Sequence, residues 1–442
     1  MQQGKLVAKS QGMPGLAIAE YPGTMMTDSM EQLVEKVETA LMENVIRSLT
    51  AAPAQETQEP ESAEPEKRDV IFRGDLDAVN DYFYERLWTD GLPIVPPTAE
   101  KIEAFLKFTE RSPDEIISLL PHEQREATVW NVAVNGVMAG CRPEYMPVLL
   151  GIADAISDPV FQTRDVGSTP GWEPLVIVTG PITKELDFNC GQGILRFGRR
   201  ANTSIGRFLK LFLRNVAGFR LPPGVGDKGS IGQSMNVAIA ENEDVVQEIG
   251  WTPFSVDHGF AKGDNTVTVM SSAYVSPPTY SAGSTALEHV ETIAEGMARR
   301  SCSAYAVWGV YFTVLAPLFM ISPAVARIIA KDGWSKADIS AYMHENIKEK
   351  AAYIEKHGRE FNGKYLDLCK EVNAGRLPKE YCESCDPERL IKSFPSPGSV
   401  QIIVGGDPDR NQSKAFMQSG GIGYPVTRKI VLPADWKDML AK

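Results

Sequence analysis

Leu175-Val-Ile-Val-Thr-Gly-Pro181 is the stretch on which the fold turns. Five apolar or β-branched residues closed by Gly-Pro are too short a run for a helix and are bounded as a buried strand is bounded. Thr266 to Met270, Tyr305 to Leu315 and Val400 to Val404 repeat the pattern. Between them lie helical periodicities at Thr285 to Arg299 and Ser322 to Lys331, the second opened by a Ser-Pro pair suited to the N-cap and first helical position. Strands interleaved with helices predict an α/β body with mixed sheets, with a mixed α+β arrangement as the alternative.

Upstream, the reading turns helical. Asp75 to Thr89 places Leu76, Val79, Phe83 and Leu87 on one face, Gly91-Leu-Pro-Ile-Val-Pro-Pro97 is extended and stiffened by proline, and a second helix begins at Thr98. Helix and loop alternate to about residue 157. On the way comes a tight corner, Met138-Ala-Gly-Cys-Arg-Pro-Glu-Tyr145, where Gly140 ends one helix and Pro143 opens the next. Residues 51 to 68 hold three prolines, five glutamates and no large apolar side chain, the composition of a disordered linker. Before it, Leu16 to Tyr21 reads as a short strand, and Met30, Leu33, Val34, Val37, Leu41, Val45 and Leu49 form a helical stripe started by Asp28 or Ser29. The expected organisation is a partial N-terminal α/β piece at 1–50, the linker at 51–68, a helical region at 69–160, and an α/β main body at 161–442 with a polar helical insert at about 348–388. Val225 to Asn236 and Val404 to Ala415 share a Gly-rich turn followed by Ser, the trace an old duplication would leave.

With 45 Lys+Arg against 57 Asp+Glu the net charge is −12, which opposes non-specific binding to nucleic acid or to an anionic membrane. Ser301 to Ala326 carries no charge over 26 positions, yet Pro317, Pro323 and its polar residues argue against a membrane span. Six scattered cysteines (141, 190, 302, 369, 382 and 385) and an N-terminus without a signal-peptide core predict a cytoplasmic protein with reduced thiols. No cofactor motif is recognisable: there is no G-x-G-x-x-G after a strand, P-loop, G-x-S-x-G elbow or H-E-x-x-H.

The charge pattern inverts between Phe188 and Gly226, which holds seven basic residues, Arg196, Arg199, Arg200, Arg207, Lys210, Arg214 and Arg220, and no acid. In an acidic chain such an inversion points to an anion site. A helix over Thr203 to Ala217 puts Ile205, Phe208, Leu209 and Phe212 on one face and Arg207, Lys210 and Arg214 on the other. Before it, Asn189-Cys-Gly-Gln-Gly193 and Gly198-Arg-Arg-Ala-Asn202 form a loop able to turn backbone N–H groups and an Arg pair toward a phosphate or carboxylate. Arg199, Arg200, Asn202 and Arg207 are therefore the anion-binding candidates, and a solvated or acid-paired charge face is the alternative for Arg207, Lys210 and Arg214.

Cys190 lies in that basic loop and Cys141 stands beside Arg142 at a helix start, settings that lower a thiol pKa and suit a nucleophile or redox centre. Packing as small apolar side chains is the other reading. His258, in Val256-Asp-His-Gly-Phe260, is the acid/base candidate, while His122, His289, His344 and His357 fall on helical or loop surfaces. Glu241 and Glu243, with Asn242 and Asp244, suit a cation, a base or a helix cap. Cys369, Cys382 and Cys385, with His357, make a weak zinc set; a dithiol or disulfide, or plain surface, is the alternative.

Asp90-Gly-Leu-Pro-Ile-Val-Pro-Pro-Thr98, Val132 to Tyr145, Arg200-Ala-Asn-Thr-Ser-Ile-Gly-Arg207 and Asp332-Gly-Trp-Ser-Lys-Ala-Asp338 together resemble a bacterial family of large subunits that occur with a small partner, the UGSC family of (seleno)proteins, named for a Sec/Cys-Gly-Ser-Cys motif. The resemblance covers most of residues 70 to 435. Gly12 to Gly23 and the helix after it resemble the C-terminal end of the small partner. The resemblance implies a partner–large-subunit fusion whose redox motif lies upstream of Met1 or on a separate polypeptide. The Cys382–Cys385 insert and Asp407-Pro-Asp-Arg410 depart from the family pattern. The expectation is a subunit of a thiol- or selenol-linked oxidoreductase, oligomeric with its UGSC-type partner and acting on a small anionic molecule. The alternatives are a non-redox hydratase or lyase using Cys141 or Cys190 with His258, and a non-enzymatic scaffold or binding subunit for that partner.

Overall fold

The computed structural model describes residues 8, 13, 15–23, 28–50, 68–121, 124–166, 173–220, 234–235, 237–301, 316–357, 366–377, 379–394, 396–418 and 423–441. The strand expected at Tyr305 to Leu315, Cys302, His122 and nearly all of the 51–68 linker lie outside them.

In the N-terminal piece, Ser29 caps helix α1 (Met30–Lys36) with a capping box, and the helix runs on through Val37–Leu41 and Met42–Thr50. None of its residues is buried, and Leu16 to Tyr21 does not form a strand. The helical region begins with α2 (Leu76–Glu85), capped by Asp75, and α3 (Ala99–Leu106). It then departs from expectation: Ile116–Leu120 (β1) and Arg125–Thr128 (β2) form an antiparallel hairpin. Exposed Ile116 and Leu119 break the alternation that would have announced it. Thr128 caps α4 (Val129–Met138), Gly140 takes the left-handed conformation that ends it (φ +79°), and Pro143 opens the turn into α5 (Met146–Ile156).

Two sheets carry the body. In the first, β3 (Glu173–Thr179) runs parallel to β4 (Ala238–Ala240) and antiparallel to β5 (Thr266–Ser272), whose other edge takes β13 (Val426–Lys429). In the second, β8 (Leu318–Ile321) runs parallel to β11 (Gln401–Val404) and antiparallel to β12 (Gln412–Met417), whose other edge takes β6 (Tyr274–Val275) and β7 (Thr279–Tyr280). The strand β8 lies past the expected Tyr305 to Leu315 run and directly before the Ser322 helix; Pro317 precedes its first residue and so costs the ladder nothing.

The two sheets share one plan, with a matching sequence signature. Pro174-Leu-Val-Ile-Val-Thr179 and Pro317-Leu-Phe-Met-Ile-Ser322 occupy the same place, each leading through helices to a parallel neighbour and then to an antiparallel strand on the other side. Asn265 and Asn411 precede those antiparallel strands, and their carbonyls accept from Ile430 (2.8 Å) and Ser281 (3.3 Å), each just beyond the outermost strand. Each half gives that last strand to the other: β6 and β7 follow β5 but pair with β12, while β13 follows β12 but pairs with β5. This is an internal structural repeat with reciprocal strand exchange. The Gly-rich segments at 225–236 and 404–415 are not its equivalent parts, since the first precedes β4, with most of its residues outside those described, and the second joins β11 to β12.

Packing follows the same symmetry. Leu175, Ile177, Ile239 and Met270 of the first sheet face Leu318, Met320, Ile403 and Phe416 of the second across one buried layer. The opposite faces, Val176 and Val178 in one sheet and Phe319 and Ile321 in the other, are covered by separate helical layers. The first is α4, α5 and α6 (Arg200–Phe212, carried on by Leu213–Ala217); the second is α8 (Ala286–Ser301), α9 (Pro323–Lys331) and α10 (Lys336–Asn346), with α7 (Glu243–Glu248) beside it. The result is a four-layer α/β/β/α sandwich. The insert is β9 (Lys348–Lys350) paired with β10 (Leu390–Lys392), plus α11 (Ala351–His357) and α12 (Leu368–Asn373) around a small core of its own. No helix among the described residues is long and apolar enough to cross a membrane.

Candidate functional site

Three of the segments singled out in the sequence converge at the start of α6. Asp90 and Leu92, the Ala139-Gly140 corner, and Phe197 to Arg200 with Thr203, Ser204 and Arg207 line a cleft of about 490 Å³. The helix begins earlier than its periodicity indicates, so Arg200, Ala201 and Asn202 are its first turn rather than a loop. Arg199 at the N-cap makes no side-chain capping bond, which leaves the positive end of the helix without that neutralisation.

The four expected anion ligands play four different parts. Arg207 is committed to structure: Nε and Nη2 each donate to Asp90 at 2.8 Å, and Nη2 also donates to the Pro93 carbonyl at 2.9 Å. Burial pushes the Asp90 carboxyl up, but the Arg207 fork, its charge and the Leu92 N–H outweigh this and hold it below its usual value. Asn202 is also spent, contrary to expectation. It is 1% exposed, its Oδ1 accepts the Asn189 N–H (2.8 Å), and its Nδ2 donates to the carbonyls of Asn189 (3.0 Å) and Ala238 (2.8 Å). Both donors of the amide are used, so it ties the Cys190 loop to β4 and has none left for a ligand. Arg199 pairs with Asp187 at the surface, 2.7 Å apart, a contact that solvent weakens. Arg200 donates from Nε to the Gly140 carbonyl (3.2 Å) and meets no carboxylate among the described residues. Farther along α6, Lys210 pairs with Glu173, so the acid-paired reading holds for that part of the basic face.

Cys141 sits beneath the cleft, hydrogen-bonded to Ser204. Its thiol pKa is not lowered, as expected from its helix-start position, but pushed up to about 12: desolvation outweighs the Ser204 hydrogen bond and the charges of Arg200 and Arg207. Burial also raises the Cys190 thiol, against a hydrogen bond from its own backbone and the charge of Lys184. His258 holds a hydrogen bond on each ring nitrogen, Nδ1 with the Phe254 carbonyl (2.8 Å) and Nε2 with Gln401 Oε1 (2.9 Å). Gln401 starts β11, whereas the Cys190 carbonyl accepts from Gly406, beyond its end. His258 is thus anchored at the first residue of β11 and the Cys190 loop two residues past its last, and no contact among the described residues joins the two side chains.

Elsewhere, Asn242 is the cap, accepting from the Val245 N–H, while Glu241 is buried. Lys336, from the Asp332–Asp338 motif, reaches Glu241 (3.2 Å) and Asp257 (2.9 Å), and Phe254 N–H donates to Glu241 Oε2 (2.6 Å). Burial raises the Glu241 pKa against the Lys336 charge and the Phe254 N–H. This triad pins β4 of one half to α10 of the other. His289 and His344 are buried rather than on the surface; His289 bonds Ser281 and the Gly283 carbonyl. The weak zinc set is not assembled: Cys369 and Cys382 form a disulfide, and the described residues contain no cluster able to hold a metal. That bond also departs from six reduced thiols; the turn at Lys379–Cys382 packs Tyr381 into the insert core with Leu368 and brings the two Cα atoms to 5.0 Å.

Asp90, Phe197, Thr203 and Ser204 are not among the candidate site residues, although Asp90, Thr203 and Ser204 lie in motifs that carry the family resemblance. The signal for Asp90 was present: an acid before a proline-stiffened segment has its position fixed by its neighbours. Scans against protein-family models, curated proteins and solved structures each find no match to the chain.

Proposed function

We propose that the chain binds a small carboxylate- or phosphate-bearing molecule in the cleft at the start of α6. In this reading it is the substrate-holding subunit of a cytoplasmic, thiol- or selenol-linked oxidoreductase whose reactive sulfur or selenium belongs to a UGSC-type partner domain. The observation that carries the binding half is Arg200, a guanidinium on the wall of a cleft at an uncapped helix start, facing a carbonyl and no carboxylate among the described residues. Phe197, 68% exposed, and Leu92 offer apolar surface to the body of the ligand. The redox half rests on the family resemblance. It accords with the thiols, because burial raises the thiol pKa of both Cys141 and Cys190, which suits neither of them to be the nucleophile. The hydratase or lyase alternative has less support, since His258 is anchored at the start of β11 and the Cys190 loop beyond its end, and burial raises the Cys141 thiol.

Calorimetric titration with a panel of small mono- and dicarboxylates and phosphate esters tests the binding half. A charge-assisted hydrogen bond is worth about 1.5–3 kcal/mol, so Arg200→Ala should weaken the best ligand by at least ten-fold while leaving the melting temperature nearly unchanged. Equal affinity in the variant, or the absence of any binder in the panel, removes the site. Co-purification of a UGSC-type polypeptide with the tagged chain tests the partner half separately.

A further inference from the structure

We infer that the insert carries a thiol–disulfide exchange centre in which Cys385 attacks the Cys369–Cys382 disulfide and Cys369 leaves beside Arg389. Three sulfurs stand in three distinct settings. Cys369 and Cys382 are bonded to each other. Cys385 is a free, exposed thiol three positions past Cys382, in a C-x-x-C pair with it, the spacing that dithiol–disulfide motifs use. The Arg389 Nη2 lies 3.7 Å from the Cys369 Sγ, and that guanidinium is held in place by Glu355 (3.2 Å), the Tyr381 carbonyl (3.1 Å) and the Asp386 carbonyl (3.0 Å). Exchange needs an accessible attacking thiolate, a disulfide within its reach, and a leaving thiolate of low basicity. A fixed cation beside the leaving sulfur lowers its basicity, and a purely structural disulfide needs neither that cation nor a third sulfur.

The step balances within the chain. Cys385 gives its proton to solvent, the Cys382–Cys385 bond forms as the Cys369–Cys382 bond breaks, and Cys369 departs as a thiolate that Arg389 stabilises and solvent can protonate. No electrons are gained or lost. The disulfide has moved to the exposed C-x-x-C pair, where a dithiol can reduce it: two electrons and two protons pass to the pair, and the dithiol becomes a disulfide. The insert is thus a site for redox exchange with a dithiol-bearing molecule. Its chemistry is independent of the cleft, so either can fail without the other.

Native chain held at pH 8 with N-ethylmaleimide, then acid-quenched and mapped by peptide mass spectrometry, tests this. Some molecules should carry the label on Cys369 together with a Cys382–Cys385 disulfide. Cys385→Ser should abolish label at Cys369, and Arg389→Gln should slow its appearance by about ten-fold. In Cys369→Ser, glutathione disulfide as the oxidant should give a Cys382–Cys385 disulfide and two glutathione thiols, a positive result that does not depend on the other variants folding. Complete labelling of Cys385 with Cys369 untouched in the native chain, or equal labelling of Cys369 in the Cys385→Ser variant, overturns the inference.

Discussion

Removing the Asp90 carboxylate should both destabilise the protein and sharpen its affinity for anions. The pair it makes with Arg207 is bidentate and largely shielded, with side-chain exposures of 14% and 17%. Two charge-assisted hydrogen bonds at about 1.5–3 kcal/mol each set the upper bound. Arg207 keeps its contacts with the Leu92 and Pro93 carbonyls and gains some water, which brings the expected loss for Asp90→Ala to about 3 kcal/mol, in line with breaking other buried pairs. Urea unfolding of Asp90→Ala, Arg207→Ala and the double variant measures the coupling directly. The pH dependence has a definite sign. The Asp90 pKa is depressed in the folded state, so its contribution is complete above the unfolded value of about 3.8 and lost as pH falls through the folded one. The gap between wild type and Asp90→Ala should therefore hold at pH 5–7 and close in stronger acid. In the cleft the same variant leaves Arg207 uncompensated, so the ligand that Arg200→Ala weakens should bind more tightly. A coupling below about 0.5 kcal/mol, or weaker anion binding in Asp90→Ala, would refute the reasoning.

Lys336→Met strands Glu241 in the core without its cation and should cost about 3–5 kcal/mol in denaturant unfolding; adding Glu241→Gln should recover part of that, and a larger loss in the double variant contradicts the pairing. Cys141, with its thiol pushed up to about 12, should react with iodoacetamide at pH 8 at least 100-fold more slowly than exposed Cys385 in the folded chain. Because its folded pKa is raised above the ordinary thiol value of 9.0, its contribution to stability is intact below pH 9 and fades as pH rises toward 12; an unfolding midpoint in Cys141→Ala that shows the same alkaline loss as wild type excludes this.

The strands and helices with local signals were legible: β3 from its apolar run, α9 from Ser322-Pro323, and α1 from its stripe and Ser29 cap. What escaped depends on distant partners. The hairpin of β1 and β2 has an exposed apolar edge, and β8 is four residues long, a run that its neighbours β11 and β12 make a strand. Charge inversion located the cleft, because seven basic residues without an acid are visible in a string. Which of them would be spent was not, because Asp90 is more than a hundred positions from Arg207 and Ala238 is 36 from Asn202. The thiol expectation failed for the same reason: a helix start beside an arginine is local information, whereas the burial that outweighs it comes from the whole helical layer.

The reciprocal exchange of end strands has a consequence during synthesis. Strand β5 receives its outer neighbour β13 only when roughly 150 further residues have been made, which at about 5–20 residues per second is a delay of some ~8–30 s. Until then the nascent chain presents an open edge along Thr266 to Val269, beside an apolar layer that still lacks Val426, Ile430 and Trp436, and such an edge invites pairing with another chain. A ribosome stalled between residues 280 and 425 should leave an aggregation-prone product that a trigger-type chaperone would bind, and the same truncated chain supplied with a peptide spanning 423–441 should be rescued by it.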